Sequence, residues 1–283
     1  MPTAQINGIA VNYQVAGSGP PLIMMAPGGM DSSIERWGTH YFWKFVKPLE
    51  TFAKNYTVIA YDRREAGGSG GRLERLHFGL YSSEAAGLLD HLKIEKAYVL
   101  GSCMGANLAL RFGIDYPERV HAVVAYWPTG GVRWRMNMRK RFDDHVDFGR
   151  QNGIEAVVRK AQEKPGSFGS DAELGPWGNT ISRNPAFAKA FQQQDKDRYL
   201  ALVAHSGRTI FDRDTAIGVE AEELMGLKLP TIIIPGDDAS HALSAAHYVR
   251  ECVPNNTFID GPVKEQKPDA IRDSILAFLK AQN

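Results

Sequence analysis

The chain has 283 residues, 43% of them hydrophobic and 23% charged, with a formal net charge of +1. That length suits one large α/β domain with an inserted subdomain, and the balanced charge argues against nucleic acid or an anionic membrane as partner. No apolar run is long enough to span a bilayer, and two cysteines, Cys103 and Cys252, make neither a disulfide framework nor a zinc site.

In chain order, Gln5-Ile6, a turn at Asn7-Gly8, and Ile9 to Tyr13 with alternating faces read as a hairpin. Leu22 to Ala26 is a continuous apolar run, the pattern of a strand buried on both faces, and Pro27-Gly28-Gly29-Met30 follows it. A helix is predicted from Phe45 to Lys54, a buried strand at Thr57 to Tyr61, and an amphipathic helix from Ser82 to Leu92. Ala97 to Leu100 is a strand. A helical pattern begins just after Cys103 and runs to about Tyr116, where Pro117 stops it. Val120 to Tyr126 is a further strand, ending at Trp127-Pro128-Thr129-Gly130-Gly131.

From Val132 to Lys228 the texture changes. The chain is charged, rich in helix formers, broken by Gly and Pro, and has no clear buried strand. The strand pattern returns at Thr231 to Ile234, followed by Pro235-Gly236-Asp237-Asp238. A helix (Ala242 to Val253), a short strand (Thr257 to Ile259) and a last helix (Pro268 to Leu279) follow. Strands alternating with helices predict an α/β fold, a mostly parallel sheet flanked by helices. Residues 1–131 and 229–283 are the expected core, and 132–228 an inserted helical cap.

The stretch that organises the rest is Gly101-Ser102-Cys103-Met104-Gly105, between a strand and a helix. The glycines permit a tight turn that lifts the Cys103 sulfur above the carboxyl edge of the sheet, and the helix N-terminus beneath it favours the thiolate. Cys252, in its own predicted helix, reads as a packed residue.

This stretch resembles the nucleophile elbow of the α/β-hydrolase fold superfamily, with Cys where Ser is usual. Three other stretches carry the same resemblance. Pro27-Gly28-Gly29 lies where the family has a His-Gly oxyanion loop, with Pro in place of the His. Asp62-Arg63-Arg64-Glu65-Ala66-Gly67-Gly68-Ser69 is similar to the family's Asp-x-Arg-Gly-x-Gly-x-Ser, with Glu65 in place of a Gly. Gly236-Asp237-Asp238 sits where the acid loop belongs.

A Cys nucleophile needs an oxyanion hole, a base and an orienting acid. The backbone N–H of Met104 and one in the Gly28-Gly29-Met30 loop, Gly29 being favoured, are the expected oxyanion donors. The resemblance implies Asp238 as the acid, with Asp237 the alternative. It also implies a His after the last strand, but residues 260–268 contain none. His241, three residues beyond Asp238, is the nearest substitute and the expected base. His145 and His205 in the cap are further candidates that could point into the cleft. Glu65 is either a substrate-binding carboxylate or the partner of Arg63 or Arg64, and Trp127 could line an aromatic pocket.

The function this pattern implies is hydrolysis of a small ester, lactone, thioester or activated C–C bond through an acyl-Cys intermediate. The Cys nucleophile is similar to that of the dienelactone-hydrolase branch, and an acyltransferase is a close variant. The competing reading, motivated by the missing late His, is a ligand-binding or sensor module, or a lyase or isomerase on the same fold. The expected partner is a small-molecule substrate, with no cofactor, metal, nucleic acid or membrane. A cytoplasmic location is expected from the cysteine usage and from an N-terminus, Met1 to Gln5, without a signal pattern; the sequence carries no signal for an oligomeric state.

Overall fold

The computed structural model describes residues 1–40, 42–211 and 215–282. Among the described residues eight strands form one sheet, in the order β1-β2-β4-β3-β5-β6-β7-β8. The strands are β1 (Thr3–Ile6), β2 (Ile9–Ala16), β3 (Pro21–Met25), β4 (Thr57–Tyr61), β5 (Ala97–Ser102), β6 (Val120–Tyr126), β7 (Thr231–Ile234) and β8 (Asn256–Phe258). The β1–β2 hairpin turns at Asn7-Gly8, both at positive φ, and β2 pairs antiparallel with β4. From β4 through β8 all pairings are parallel. This is an α/β-hydrolase type of sheet, mostly parallel and flanked by helices.

Alternation builds the two cores. In β5, Ala97 and Val99 face one apolar layer, while Tyr98 and Leu100 face the other. In β3, Ile23 and Met25 divide from Leu22 and Met24 in the same way. Burial on both faces is why these strands read as unbroken apolar runs.

The helices are α1 (Arg36–Thr39), α2 (Trp43–Val46), α3 (Pro48–Phe52), α4 (Phe78–His91), α5 (Met104–Asp115), α6 (Val132–Glu163), α7 (Gly178–Arg183), α8 (Pro185–Gln192), α9 (Lys196–Phe211), α10 (Ala221–Gly226), α11 (Leu243–Cys252) and α12 (Pro268–Ala281). The single helix expected from Phe45 to Lys54 is two short ones, broken at Lys47 (φ 47, ψ 63). Pro48 is the cause: its ring disfavours the helical conformation for the preceding residue, while it suits the first turn of α3. Helix α4 starts four residues earlier than its periodicity suggested, because His77 caps it, Nδ1 accepting from the Leu80 amide at 3.1 Å.

Between β6 and β7 the described residues from 132 to 226 form helices and their connections, with one isolated β-bridge from Ala216 to Gly130. Residues 212–214, inside the expected cap, lie outside the described residues. Helix α6 is interrupted at Gly153 (φ 82, ψ 172) and packs against α9. Edge-to-face pairs join Phe142 of α6 to Phe168 and Phe191 of α8 to Tyr199 of α9. The layer is tied to the β4–α4 connection by the Trp177 indole, which donates to the Arg72 carbonyl at 2.8 Å, and by Ser206 Oγ, which accepts from the Leu76 amide at 3.0 Å.

Candidate active site

The chain leaves β3 toward β4 on one side and returns to β5 on the other, so the order of the sheet reverses beside β3. The carboxyl ends of strands at such a reversal open a crevice in α/β sheets. Gly28 follows β3 there and Cys103 follows β5.

Cys103 occupies φ 58, ψ −130, a strained backbone for an L-residue. The turn survives because its neighbours approach very closely. A Cβ on Gly105 would lie 2.1 Å from the Met25 carbonyl oxygen, and one on Gly101 would lie 2.0 Å from the Gly105 oxygen. Ser102 is buried and turned away, its Oγ accepting from the Trp43 indole at 2.7 Å. Cys103 is therefore the side chain the turn presents, part-exposed at the start of α5.

His241 and Asp238 come from the loop after β7. Asp238 Oδ1 accepts from the amides of Ser240 (2.7 Å) and His241 (3.0 Å), which folds the loop back on itself. Its two oxygens then meet His241 Nδ1 at 2.8 and 2.9 Å. The loop is docked on the β6 end by the Gly130 amide, which donates to the Ser240 carbonyl at 3.1 Å. His241 is 4% exposed. Its Nε2 is buried and makes no hydrogen bond of regular geometry, and its charge and N–H act on the Cys103 thiol. Asp237, the alternative acid, is exposed, and the imidazole is bonded to Asp238.

The electrostatics follow from this geometry. Burial pushes the Cys103 thiol up, but the charge and hydrogen bond of His241, with further bonds from Thr129 and the Gly28 amide, bring it down to about 6. Burial pushes His241 down, and the Cys103 thiolate and the Asp238 bond overcome it, raising the ring to about 10. The His241 hydrogen bond, against a smaller effect of burial, lowers Asp238 to about 2. The two shifts have one physical cause, the mutual attraction of a thiolate and an imidazolium, with Asp238 on the far side of the ring. His40 is held neutral nearby, lowered to about 4 by burial and then by the charge of His241.

The Gly28 amide, in the loop after β3, also acts on the sulfur. Gly28 (φ 117) and Gly29 (φ 60) both take a backbone that glycine alone adopts freely. The Gly29 carbonyl is pinned by Arg63 Nη2 at 2.5 Å, and Arg63 is itself buried with its guanidinium 4.3 Å from the Tyr81 ring centre. On the other side of the sulfur, Met104 opens α5, where the first amides have no intrahelical acceptor.

Two residues in contact with this arrangement escaped the sequence reading. Thr129 donates its hydroxyl to the Cys103 sulfur at 3.6 Å. Asn107, one turn into α5 and fully buried, holds Thr129 by accepting from its amide (2.8 Å) and donating to its carbonyl (3.0 Å), and also donates to the Ile217 carbonyl at 2.8 Å. The only signal in the sequence was a polar residue inside the otherwise apolar start of the elbow helix.

The remaining candidates are placed elsewhere. His145 is fully buried between cap helices, its Nδ1 paired with the Ala172 carbonyl (2.9 Å) and its Nε2 with the Tyr199 hydroxyl (2.5 Å). Both nitrogens are used there, so His145 serves packing within the helical layer rather than a cleft. His205 is exposed on α9, beside Glu74 and Arg198. Glu65 is buried at φ 68, 3.4 Å from Arg64 Nε, accepting from the Arg72 amide and the Thr180 hydroxyl at 3.3 Å each. Burial, opposed by Arg64, raises it to about 8. Trp127 stands behind His241, its ring centre 5.4 Å from the imidazole. Among the described residues no group of His, Cys, Asp and Glu is placed to hold a metal ion, and no helix is long and apolar enough to cross a membrane.

Comparison with known proteins agrees with the fold. The chain is 34% identical over 159 residues to an uncharacterized hydrolase, YraK, of Bacillus subtilis (strain 168), an overlap covering 56% of this chain and 55% of that protein. It is 31% identical over 136 residues to 2-hydroxy-6-oxo-6-phenylhexa-2,4-dienoate hydrolase of Comamonas testosteroni, covering 44% and 42% respectively. The chain thus spans about half the length of these curated relatives. Among solved structures, the enol-lactonase of Burkholderia xenovorans LB400 superposes with a TM-score of 0.63 at 18% identity, covering 99% of this chain and all of that one. The meta-cleavage product hydrolase CumD of Pseudomonas fluorescens IP01 gives 0.63 at 20% identity, covering 100% and 98%. The model of the α/β hydrolase fold family matches residues 21–209, more than half of the chain, and the chain belongs to that family.

Proposed function

We propose that this protein is a hydrolase acting on an activated carbonyl compound, such as a small ester, lactone or thioester, or a C–C bond adjacent to a carbonyl, with Cys103 as nucleophile. The observation that carries the reading is one imidazole shared between two partners, His241 bonded through Nδ1 to Asp238 and coupled to the Cys103 sulfur on the elbow. The names of the relatives support it, since they include hydrolases and an enol-lactonase. The missing late His is no obstacle in this reading, because the acid loop supplies both Asp238 and His241.

In the proposed mechanism the Cys103 thiolate attacks the carbonyl carbon, and the carbonyl electron pair moves onto oxygen. The Met104 amide and an amide of the Gly28-Gly29 turn would stabilise that oxyanion. The His241 imidazolium gives its proton to the leaving group as the carbonyl reforms, leaving an acyl-Cys103. Neutral His241 then takes a proton from water, whose oxygen attacks the acyl carbon; the thiolate leaves and the acid product is released. Asp238 holds the ring in its Nδ1–H orientation throughout. Residues 132–228 would act as a cap over this edge, a division supported by the helices that fill the interval between β6 and β7.

The test is a short-chain p-nitrophenyl ester with intact-mass detection. The expected result is turnover, a transient acyl adduct mapped to Cys103, and loss of both in Cys103→Ala. Binding without turnover or adduct would instead favour the non-hydrolytic reading.

A further inference from the structure

Trp127 is a bulky residue in left-handed backbone (φ 50), a strained conformation for such a side chain unless its surroundings hold it. Three contacts do so. Its amide donates to the Ile234 carbonyl at 2.8 Å. Its ring stacks on Tyr126, with centres 5.3 Å apart and planes at 8°. Its indole N–H donates to Gln266 Oε1 at 3.0 Å.

Gln266 lies between β8 and α12, in the 260–268 segment that contains no His. It spends both ends of its amide. Oε1 accepts from Trp127, and Nε2 donates to the Pro235 carbonyl at 2.8 Å, at the start of the loop that carries Asp238 and His241. A flipped amide would lose both bonds. The loop is shaped for this approach, since a Cβ on Gly236 would sit 2.6 Å from His241 Cβ and 3.1 Å from the Trp127 ring. The result is a brace in which one side chain fixes an indole against one side of the His241 imidazole.

We propose that Gln266 is a positioning residue that, through Trp127, holds the His241 ring in line with the Cys103 sulfur. The proposal rests on the Cys103–His241–Asp238 reading above. Asp238 alone fixes only one nitrogen of the ring, and its own side chain is half-exposed. Trp127 limits the tilt about that bond and offers an indole surface next to a cation. Cys103, Asp238 and His40 are the titratable groups whose charge acts with His241.

The test compares Gln266→Leu, Trp127→Phe and the double variant with the natural protein. Trp127→Phe keeps an aromatic ring but removes the N–H, so it serves if Gln266→Leu folds poorly. The His241 ring titration, followed by NMR and assigned with His241→Gln, should shift down by about one pH unit in either single variant. The kcat for the ester should fall about 10- to 100-fold with KM little changed, and the double variant should fall no further than the worse single one. A folded Gln266→Leu whose His241 titration matches the natural protein would overturn the brace, and so would losses that multiply in the double variant. The titration needs no turnover, so it decides the brace even if Cys103 proves not to be a nucleophile.

Discussion

Asn107 grips Thr129 by both its amide and its carbonyl, and Thr129 in turn donates its hydroxyl to the Cys103 sulfur. A residue on the elbow helix thereby fixes a donor beside the thiol at the head of that same helix. Thr129→Val should raise the Cys103 thiol by about one pH unit and cost about 1.4 kcal/mol of stability, since it keeps the side-chain shape but removes a bond to the thiolate. Asn107→Leu should cost about 2–4 kcal/mol, because it strands the buried amide of Thr129 and the carbonyls of Thr129 and Ile217. Chemical denaturation of the two variants, with a thiol titration of the first, checks both.

Removal of the other partners should act on turnover rather than on folding. His241→Ala is expected to lower kcat by about 10²–10⁴-fold, the range for general acid–base catalysis. Asp238→Asn should cost somewhat less, because the imidazole keeps its place against Trp127. Steady-state kinetics on the ester, with circular dichroism to verify folding, measures both.

Glu65 should make stability fall with pH. Its carboxyl, raised to about 8 by burial against the pull of Arg64, keeps its proton in the folded state after the unfolded chain has lost it. Between the ordinary carboxylate value, about 4.3, and 8 the folded state binds more protons, so stability decreases as pH rises through that window and levels off above it. Glu84, raised to about 7 by burial against Arg64, has the same sign. Thermal melts of Glu65→Gln from pH 5 to 9 should show a shallower decline than the natural protein, with the largest difference at the alkaline end.

The elbow leaves no room for a methyl group. Gly105→Ala would place a Cβ 2.1 Å from the Met25 carbonyl, a backbone atom that cannot swing aside. Overpacking of this kind costs about 1–3 kcal/mol or more. A denaturant midpoint unchanged from the natural protein would show that β3 and α5 can separate without loss.

Much of the sheet was legible because strands buried on both faces carry unbroken apolar runs. Thr57 to Tyr61, Val120 to Tyr126 and Thr231 to Ile234 are strands with those same limits. The break at Lys47 was legible in principle from Pro48, but the apolar spacing on either side masked it. The site was harder. Cys103 was marked by its glycines, whereas His241 was reached by noting what residues 260–268 lack. Thr129, Asn107 and Gln266 act through contacts between distant segments, 22 residues apart for the first pair and 139 for Gln266 with Trp127. No local pattern announces them.

The central claim, that Cys103 rests as a thiolate beside the His241 imidazolium, is tested most directly by its alkylation rate with iodoacetamide as a function of pH, mapped by peptide mass and compared with Cys252. The rate at Cys103 should rise to half its maximum near pH 6 and hold level to about pH 9, with His241→Ala moving the midpoint toward the ordinary thiol value of about 8.5. A midpoint near 8.5 in the natural protein, or alkylation of Cys103 no faster than Cys252 at pH 7, would contradict it.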